Sequence, residues 1–162
     1  MYSNTFTMIK NLLVFALLFF VSLNVFPQNY DETKKNIINS IENHEEEIIK
    51  ISDKIWELAE TAFNEYESSK LLSDYAEANG FTLERGVAGM PTAFVATYGE
   101  GRPVISVLGE FDALPGLSQD TTPTKKPLTE GGNGHGCGHN LFGAASLASA
   151  IAIKEQIENG DL

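Results

Sequence analysis

Val104-Ile105-Ser106-Val107-Leu108-Gly109-Glu110-Phe111-Asp112 is the stretch whose reading decides the fold. Val104 to Leu108 is nearly all apolar, the composition of a β-strand covered on both faces. A strand of that kind places the chain in the α/β class. Its end changes character at Gly109. Residues two apart on a strand point to the same side, so Glu110 and Asp112 face one place. Functional sites of open α/β sheets gather at the carboxyl ends of strands. The residues alone leave a second option open, that both acids simply end the strand in solvent.

Ala113 to Gly134 follows as a long loop rich in Gly, Pro and Thr. Long loops without regular structure in compact domains are often functional. Lys125, Lys126 and Glu130 are expected to be exposed. The loop leads into Gly134-His135-Gly136-Cys137-Gly138-His139-Asn140, which holds the only cysteine and two of the three histidines. Thiolate and imidazole are ligands that zinc-like metals favour. Two positions apart, Cys137 and His139 suit a tight loop better than a helix face. The glycines allow backbone angles that other residues resist. Two ligands do not make a zinc site, however, and a lone cysteine also serves as a small buried apolar residue. After the loop, Leu141 to about Asn159 reads as a helix. Its first half, GAASLASA, is small enough to lie close to a sheet. Asn140 is the expected N-cap and Asn159-Gly160 the expected stop.

Upstream, Asp31 to about Phe63 shows helical spacing at Ile37, Ile38, Ile41, Ile48, Ile55, Leu58 and Ala59. Glu45, Glu46, Glu47 and Lys50 fill a solvated face, with His44 exposed among them; Trp56 is expected in the core. A second amphipathic helix runs from about Glu67 to Asn79, with Leu71, Leu72, Tyr75 and Ala76 inward, and Gly80 ends it. Phe81 to Val87 and Thr92 to Tyr98 read as strands, and Gly99 to Pro103 as a turn.

The chain has 162 residues, 43% hydrophobic and 20% charged, a globular composition of one-domain size. Residues 1–28 carry one charge, Lys10, so the rest has ten basic and twenty-two acidic residues, a net charge of −12. Such a body does not favour nucleic-acid backbones or anionic membranes. One cysteine excludes an internal disulfide framework. Lys10 followed by the apolar run Leu12 to Phe26 is the pattern of a secretory signal, ending near residue 28. It is shorter than the roughly 20 residues of a membrane span. A secreted or periplasmic protein is expected, with an uncleaved N-terminal anchor as the alternative.

GEFDALPGLSQ (Gly109 to Gln119) followed by GHGCGHNLFGAA (Gly134 to Ala145) resembles the di-metal amidohydrolases of the aminoacylase and zinc-carboxypeptidase family, in its cysteine-ligand branch. The likeness runs from about Ile55 to the last residue. It implies a zinc-exopeptidase-like catalytic domain, a mixed sheet flanked by helices. Residues 29–162 would be its N-terminal part, cut on the C-terminal side and without the lid domain through which full-length members form homodimers. It implies Cys137 and His139 as metal ligands, and Asp112 as the aspartate that orients a metal-binding histidine or the metal centre. Glu110 stands where the wider family has a histidine ligand, so a direct metal role for it does not carry over. His135 is either behind the ligands or simply shaped by the loop. Asn140, where many members have Asp, matches an aminobenzoyl-glutamate-utilising subgroup. The implied cofactor is a divalent metal, two zinc ions, with manganese or cobalt as alternatives. The implied reaction is hydrolysis of the amide of an N-acyl or N-aroyl amino acid or small peptide, a small-molecule substrate. The family's downstream glutamate pair, which includes the general base, has no counterpart before Leu162. Two other readings compete: an inactive remnant or non-catalytic subunit, and a thiol hydrolase using Cys137 and His139. The second is weak, because no third orienting group is identifiable.

Overall fold

The computed structural model describes residues 30–161. The signal-like segment, 1–28, lies outside the described residues. Lys34–Leu162 forms one compact unit.

Helix α1, Tyr30–Leu58, opens with Asp31 and Glu32, acids that suit the positive end of a helix dipole. Its inward stripe is Ser40, Ile51, Ser52 and Ile55. Ile38 and Ile41, expected inward, are 47% and 39% exposed. Near that end the inward direction is taken by Ser40 and His44. His44 was expected in solvent; its side chain is only 19% exposed. Its Nδ1 lies 2.7 Å from the Tyr75 hydroxyl and its Nε2 3.0 Å from Glu155 Oε1. Both ring nitrogens thus find partners, which is what lets a histidine sit half-buried between helices.

Helix α2, Tyr66–Ala78, has no capping side chain of its own at Glu65. The Glu60 carboxylate supplies the cap from outside. It accepts from the backbone N–H of Glu67 (3.1 Å) and Ser68 (2.8 Å) and from the Ser68 hydroxyl (2.7 Å). Leu72 and Ala76 are buried, with Leu71 and Tyr75 partly so. Gly80, at φ +85°, ends the helix in the left-handed region, as expected.

Strands β1, Thr82–Arg85, and β2, Phe94–Thr97, pair antiparallel, with Leu83 opposite Ala96 and Arg85 opposite Phe94. Leu83, Phe94 and Ala96 face the core. Arg85 reaches α2, donating to Ser73 (3.3 Å), Asp74 (3.0 Å) and Glu77 (3.0 Å).

The strand expected over Val104 to Leu108 does not form, and neither does a mixed sheet among the described residues, whose only ladder is the two-stranded β1–β2 hairpin. Val104, Ile105 and Leu108 are 77%, 75% and 72% exposed. A strand exists only with a partner beside it, and no described segment hydrogen-bonds alongside this run. The chain there is extended but unpaired.

Helix α3, His139–Asn159, starts from Gly138 and ends at Gly160, both left-handed. Asn140 is not the N-cap. It is buried, and its amide donates to the Ser52 hydroxyl (3.2 Å) on α1. The small-residue face does allow close approach. A Cβ on Gly143 would stand 2.8 Å from the Glu110 carbonyl oxygen, and the Ser146 hydroxyl donates to the Leu108 carbonyl at 2.7 Å. Ile51 and Ile55 of α1, Leu72 and Ala76 of α2, Phe81, and Leu147 and Ile151 of α3 make the core. Each large aliphatic side chain buried there contributes roughly 1.5–3 kcal/mol. Mixed helices with a small hairpin make this an α/β fold.

Candidate active site

Three pieces of chain meet beyond the C-terminal end of α1. The Ala113 N–H donates to the Glu60 carbonyl (2.7 Å), which holds the segment after Asp112. Leu114 and Gly134 exchange two backbone hydrogen bonds, each 3.0 Å, so the long loop leaves and returns at one point. Asn133 and His135 then donate to carbonyls at the end of α1, Asn133 to Ala59 (3.2 Å) and His135 Nε2 to Ile55 (3.0 Å). The Asn133 amide satisfies a carbonyl just past the helix end, whereas the Ile55 carbonyl already accepts from the Ala59 N–H (3.1 Å) and takes His135 as a second donor.

The glycines flanking His135 are there for space. A Cβ on Gly134 would lie 2.1 Å from the Leu117 carbonyl oxygen, and one on Gly136 would lie 2.7 Å from Leu117 Cδ1. Gly138 needs its φ of +81° to start α3.

This frame brings His139 between the two acids. Asp112 Oδ1 is 2.7 Å from His139 Nδ1, and Glu110 Oε2 is 2.9 Å from His139 Nε2. The histidine and Asp112 are largely buried, with side chains 23% and 25% exposed, whereas Glu110 is about half exposed. Glu110 and Asp112 do face one place, as two-residue spacing predicts. The Phe142 ring lies 6.5 Å from the His139 ring. Cys137 is a free, exposed thiol on the same turn. Burial lowers the pKa of His135 below the usual imidazole value, more than its bond to Ile55 raises it. Among the described residues, no three His, Cys, Asp or Glu side chains converge into a ready-made metal cage.

Beside the frame is a cleft of about 410 Å³, walled by Trp56, Leu117, Asp120, Leu128, Asn133 and His135. Trp56, expected in the core, is half-buried and forms one wall. Across it, Lys126 pairs with Asp120 at 2.6 Å, and that bond holds the Asp120 carboxyl below its ordinary range. Lys125, Lys126 and Glu130 are exposed or nearly so, as expected. The sequence signals neither the carbonyl partners of Asn133 and His135 nor the cap from Glu60. A backbone acceptor has no residue type to read.

No protein-family model matches the chain. Among curated proteins, one of the subunits of the p-aminobenzoyl-glutamate hydrolase of Escherichia coli is 46% identical over 130 residues, 78% of this chain and 27% of the relative. Thermostable carboxypeptidase 2 of Saccharolobus solfataricus is 32% identical over 126 residues, 76% of this chain and 30% of the relative. A mouse Xaa-Arg dipeptidase is 26% identical over 136 residues, 78% and 28%. The chain therefore spans under a third of the length of these relatives.

Proposed function

The chain belongs to the amidohydrolase and carboxypeptidase family, and from that premise we propose that it forms the N-terminal, metal-holding part of a metal-dependent amidohydrolase. The substrate class is an N-acyl or N-aroyl amino acid or a small peptide, in keeping with a relative named for p-aminobenzoyl-glutamate. The observation that carries the reading is His139 held by Asp112 on the turn that bears Cys137.

The residues fit a divalent metal by donor chemistry. A metal-binding histidine commonly gives its second ring nitrogen to a carboxylate, and Asp112 takes Nδ1 in this way. That leaves Nε2 for a metal, with the Cys137 thiolate two residues away. Glu110 touches Nε2 and is half exposed, so it is free to swing aside. Cys137 and His139 are the proposed ligands, for zinc, with manganese or cobalt as alternatives. The bound metal would supply a Lewis acid for water activation and carbonyl polarisation.

The chain's own residues do the rest of the local work. Asp112 fixes the ring and tautomer of His139, and the Leu114–Gly134 pair sets where the ligand turn begins. General-base catalysis further needs a carboxylate within reach of the attacking water. Asp112 is engaged by His139 Nδ1, whereas Glu110, once a metal displaces it from Nε2, is the one carboxylate left beside that ring. Of the acids that follow, Glu155 and Glu158 lie about 24 and 29 Å along α3 from His139 at about 1.5 Å per residue, and Asp161 comes after the helix has ended. Glu155 is also bound to His44. The 162-residue chain by itself is proposed to be inactive, for want of a third metal ligand among the described residues, and separately to be exported by the segment before residue 29. The lid domain through which such proteins dimerise is proposed to lie outside it.

The test is release of free amine from aminobenzoyl-glutamate and N-acetyl amino acids by the purified, zinc-loaded chain. No release is expected from the chain alone. Release that a chelator and Asp112→Ala both abolish would overturn the partial-site reading and show a complete enzyme.

A further inference from the structure

Outside the Asp112–His139 pair, His135 has the least economical geometry of the described site. Its Nε2 is 3.0 Å from the Ile55 carbonyl oxygen, which can only accept, so Nε2 carries the hydrogen. Nδ1 is then a bare acceptor. It is buried and has no hydrogen-bond partner among the described residues. Buried polar atoms are paired in the great majority of cases, so an unpaired one calls for a reason. Capping α1 is not a sufficient reason. Two residues earlier, Asn133 caps the Ala59 carbonyl with a simple amide.

The surroundings point to the reason. His135 lies two residues before Cys137 and four before His139. The Gly138 N–H, which opens α3, donates to the His135 carbonyl (3.1 Å). On one side the turn is pressed by Leu117 against Gly134 and Gly136. On the other side, His135 ties the turn to α1 ahead of Cys137, as Asn140 does through Ser52 behind His139. A planar ring with few rotamers holds such a tie more stiffly than a flexible amide.

We propose that His135 is a positioning residue of the ligand turn: its Nε2–H, anchored on the Ile55 carbonyl, sets the aim of Cys137 and His139. The proposal rests on the metal reading given above, and the experiment separates the two.

Cobalt(II) is titrated into the full chain, and the thiolate-to-cobalt charge-transfer band is followed for wild type, His135→Ala and His135→Gln. Urea midpoints are measured in parallel. The Gln side chain can place an N–H donor where Nε2 stands. His135→Ala is expected to weaken cobalt binding about tenfold, the lower end of the effect of removing groups that orient ligands. It should also alter the band, while His135→Gln largely restores both. A role confined to stability would lower the urea midpoint of His135→Ala and leave the band of folded protein unchanged; that result overturns the proposal. Wild-type protein without a band, or a band that survives Cys137→Ser, overturns the metal reading and this proposal with it. Should His135→Ala fail to fold, His135→Asn takes its place. Asn is one methylene shorter than Gln and should miss the Ile55 carbonyl, so equal bands for Asn and Gln would refute the positioning role.

Discussion

Gly134→Ala tests the frame of the site. The new Cβ would stand 2.1 Å from the Leu117 carbonyl oxygen, 2.7 Å from its carbon and 3.1 Å from Ser118 Cα. All three are backbone atoms, so no side chain can rotate away. Ordinary contact begins at 3.4 Å, so the two segments must part by 3.4 − 2.1 = 1.3 Å. The Leu114–Gly134 bonds, both 3.0 Å, stand in the way of that movement. Losing two hydrogen bonds costs about 1–3 kcal/mol. Residual overpacking adds about 1–3 kcal/mol. The lower entropy of the unfolded alanine chain offsets about 0.4–1 kcal/mol. The net expectation is a loss of about 1–6 kcal/mol. Urea titration followed by circular dichroism reads it. With a slope of about 1–3 kcal/mol per molar, the midpoint should fall by at least about 0.3 M. Gly136→Ala is the internal control. Its Cβ meets only the tip of the Leu117 side chain, Cδ1 at 2.7 Å, which can turn aside. It should cost about 1 kcal/mol or less, since small strains at adaptable sites fall at the low end of overpacking effects. A Gly134→Ala midpoint within error of wild type, or equal losses for the two variants, would refute the reasoning.

Three further outcomes follow from the fold. Ile55→Ala, at a fully buried position, should destabilise by about 2–5 kcal/mol in the same titration. Gln156 is 1% exposed and its Oε1 has no partner, so Gln156→Met should raise the midpoint, by roughly 1 kcal/mol of relieved desolvation; a lower midpoint would contradict it. The Asp74 carboxyl is held below its usual range chiefly by its hydrogen bond from Lys70, against an opposing desolvation that outweighs each contribution of Arg85. A depressed carboxylate pKa stabilises the fold above the unfolded value near 3.8, and that share disappears as pH falls below it. Asp74→Asn should therefore lower the midpoint slightly at pH 7 and by less at pH 3, an effect kept small by solvent screening. Equal losses at both pH values would show that the ion pairs are not the cause.

Much of this architecture is legible in the sequence because it is written in local periodicity. α2, the β1–β2 hairpin and the small-residue face of α3 follow from spacing and from glycines at their ends, and α1 from spacing alone, although it stops at Leu58 and not near Phe63. The meeting of Asp112 with His139 was legible too, through the family resemblance of the paired motifs, although the strand expected to carry Asp112 does not form. What failed depends on distant partners. Val104 to Leu108 has the composition of a buried strand, but composition cannot provide the neighbouring strand that would make it one. His44 sits in a run of glutamates that reads as solvated, and only the positions of Tyr75 and Glu155 make it an interhelical tie. Asn140 has the residue type of an N-cap, yet Gly138 begins the helix and frees Asn140 to reach Ser52. Glu60 caps a helix that starts six residues later, a range no short capping pattern covers.

The central claim is that the turn bearing Cys137 and His139, backed by Asp112, holds a divalent metal. Isothermal calorimetry with zinc at neutral pH measures it directly. The account predicts one-to-one binding by the wild-type chain, weak because two protein ligands leave the site half open. It predicts a further loss in Asp112→Ala, and none detectable in the Cys137→Ser, His139→Ala double variant. Zinc binding of equal affinity in the wild type and the double variant would contradict it.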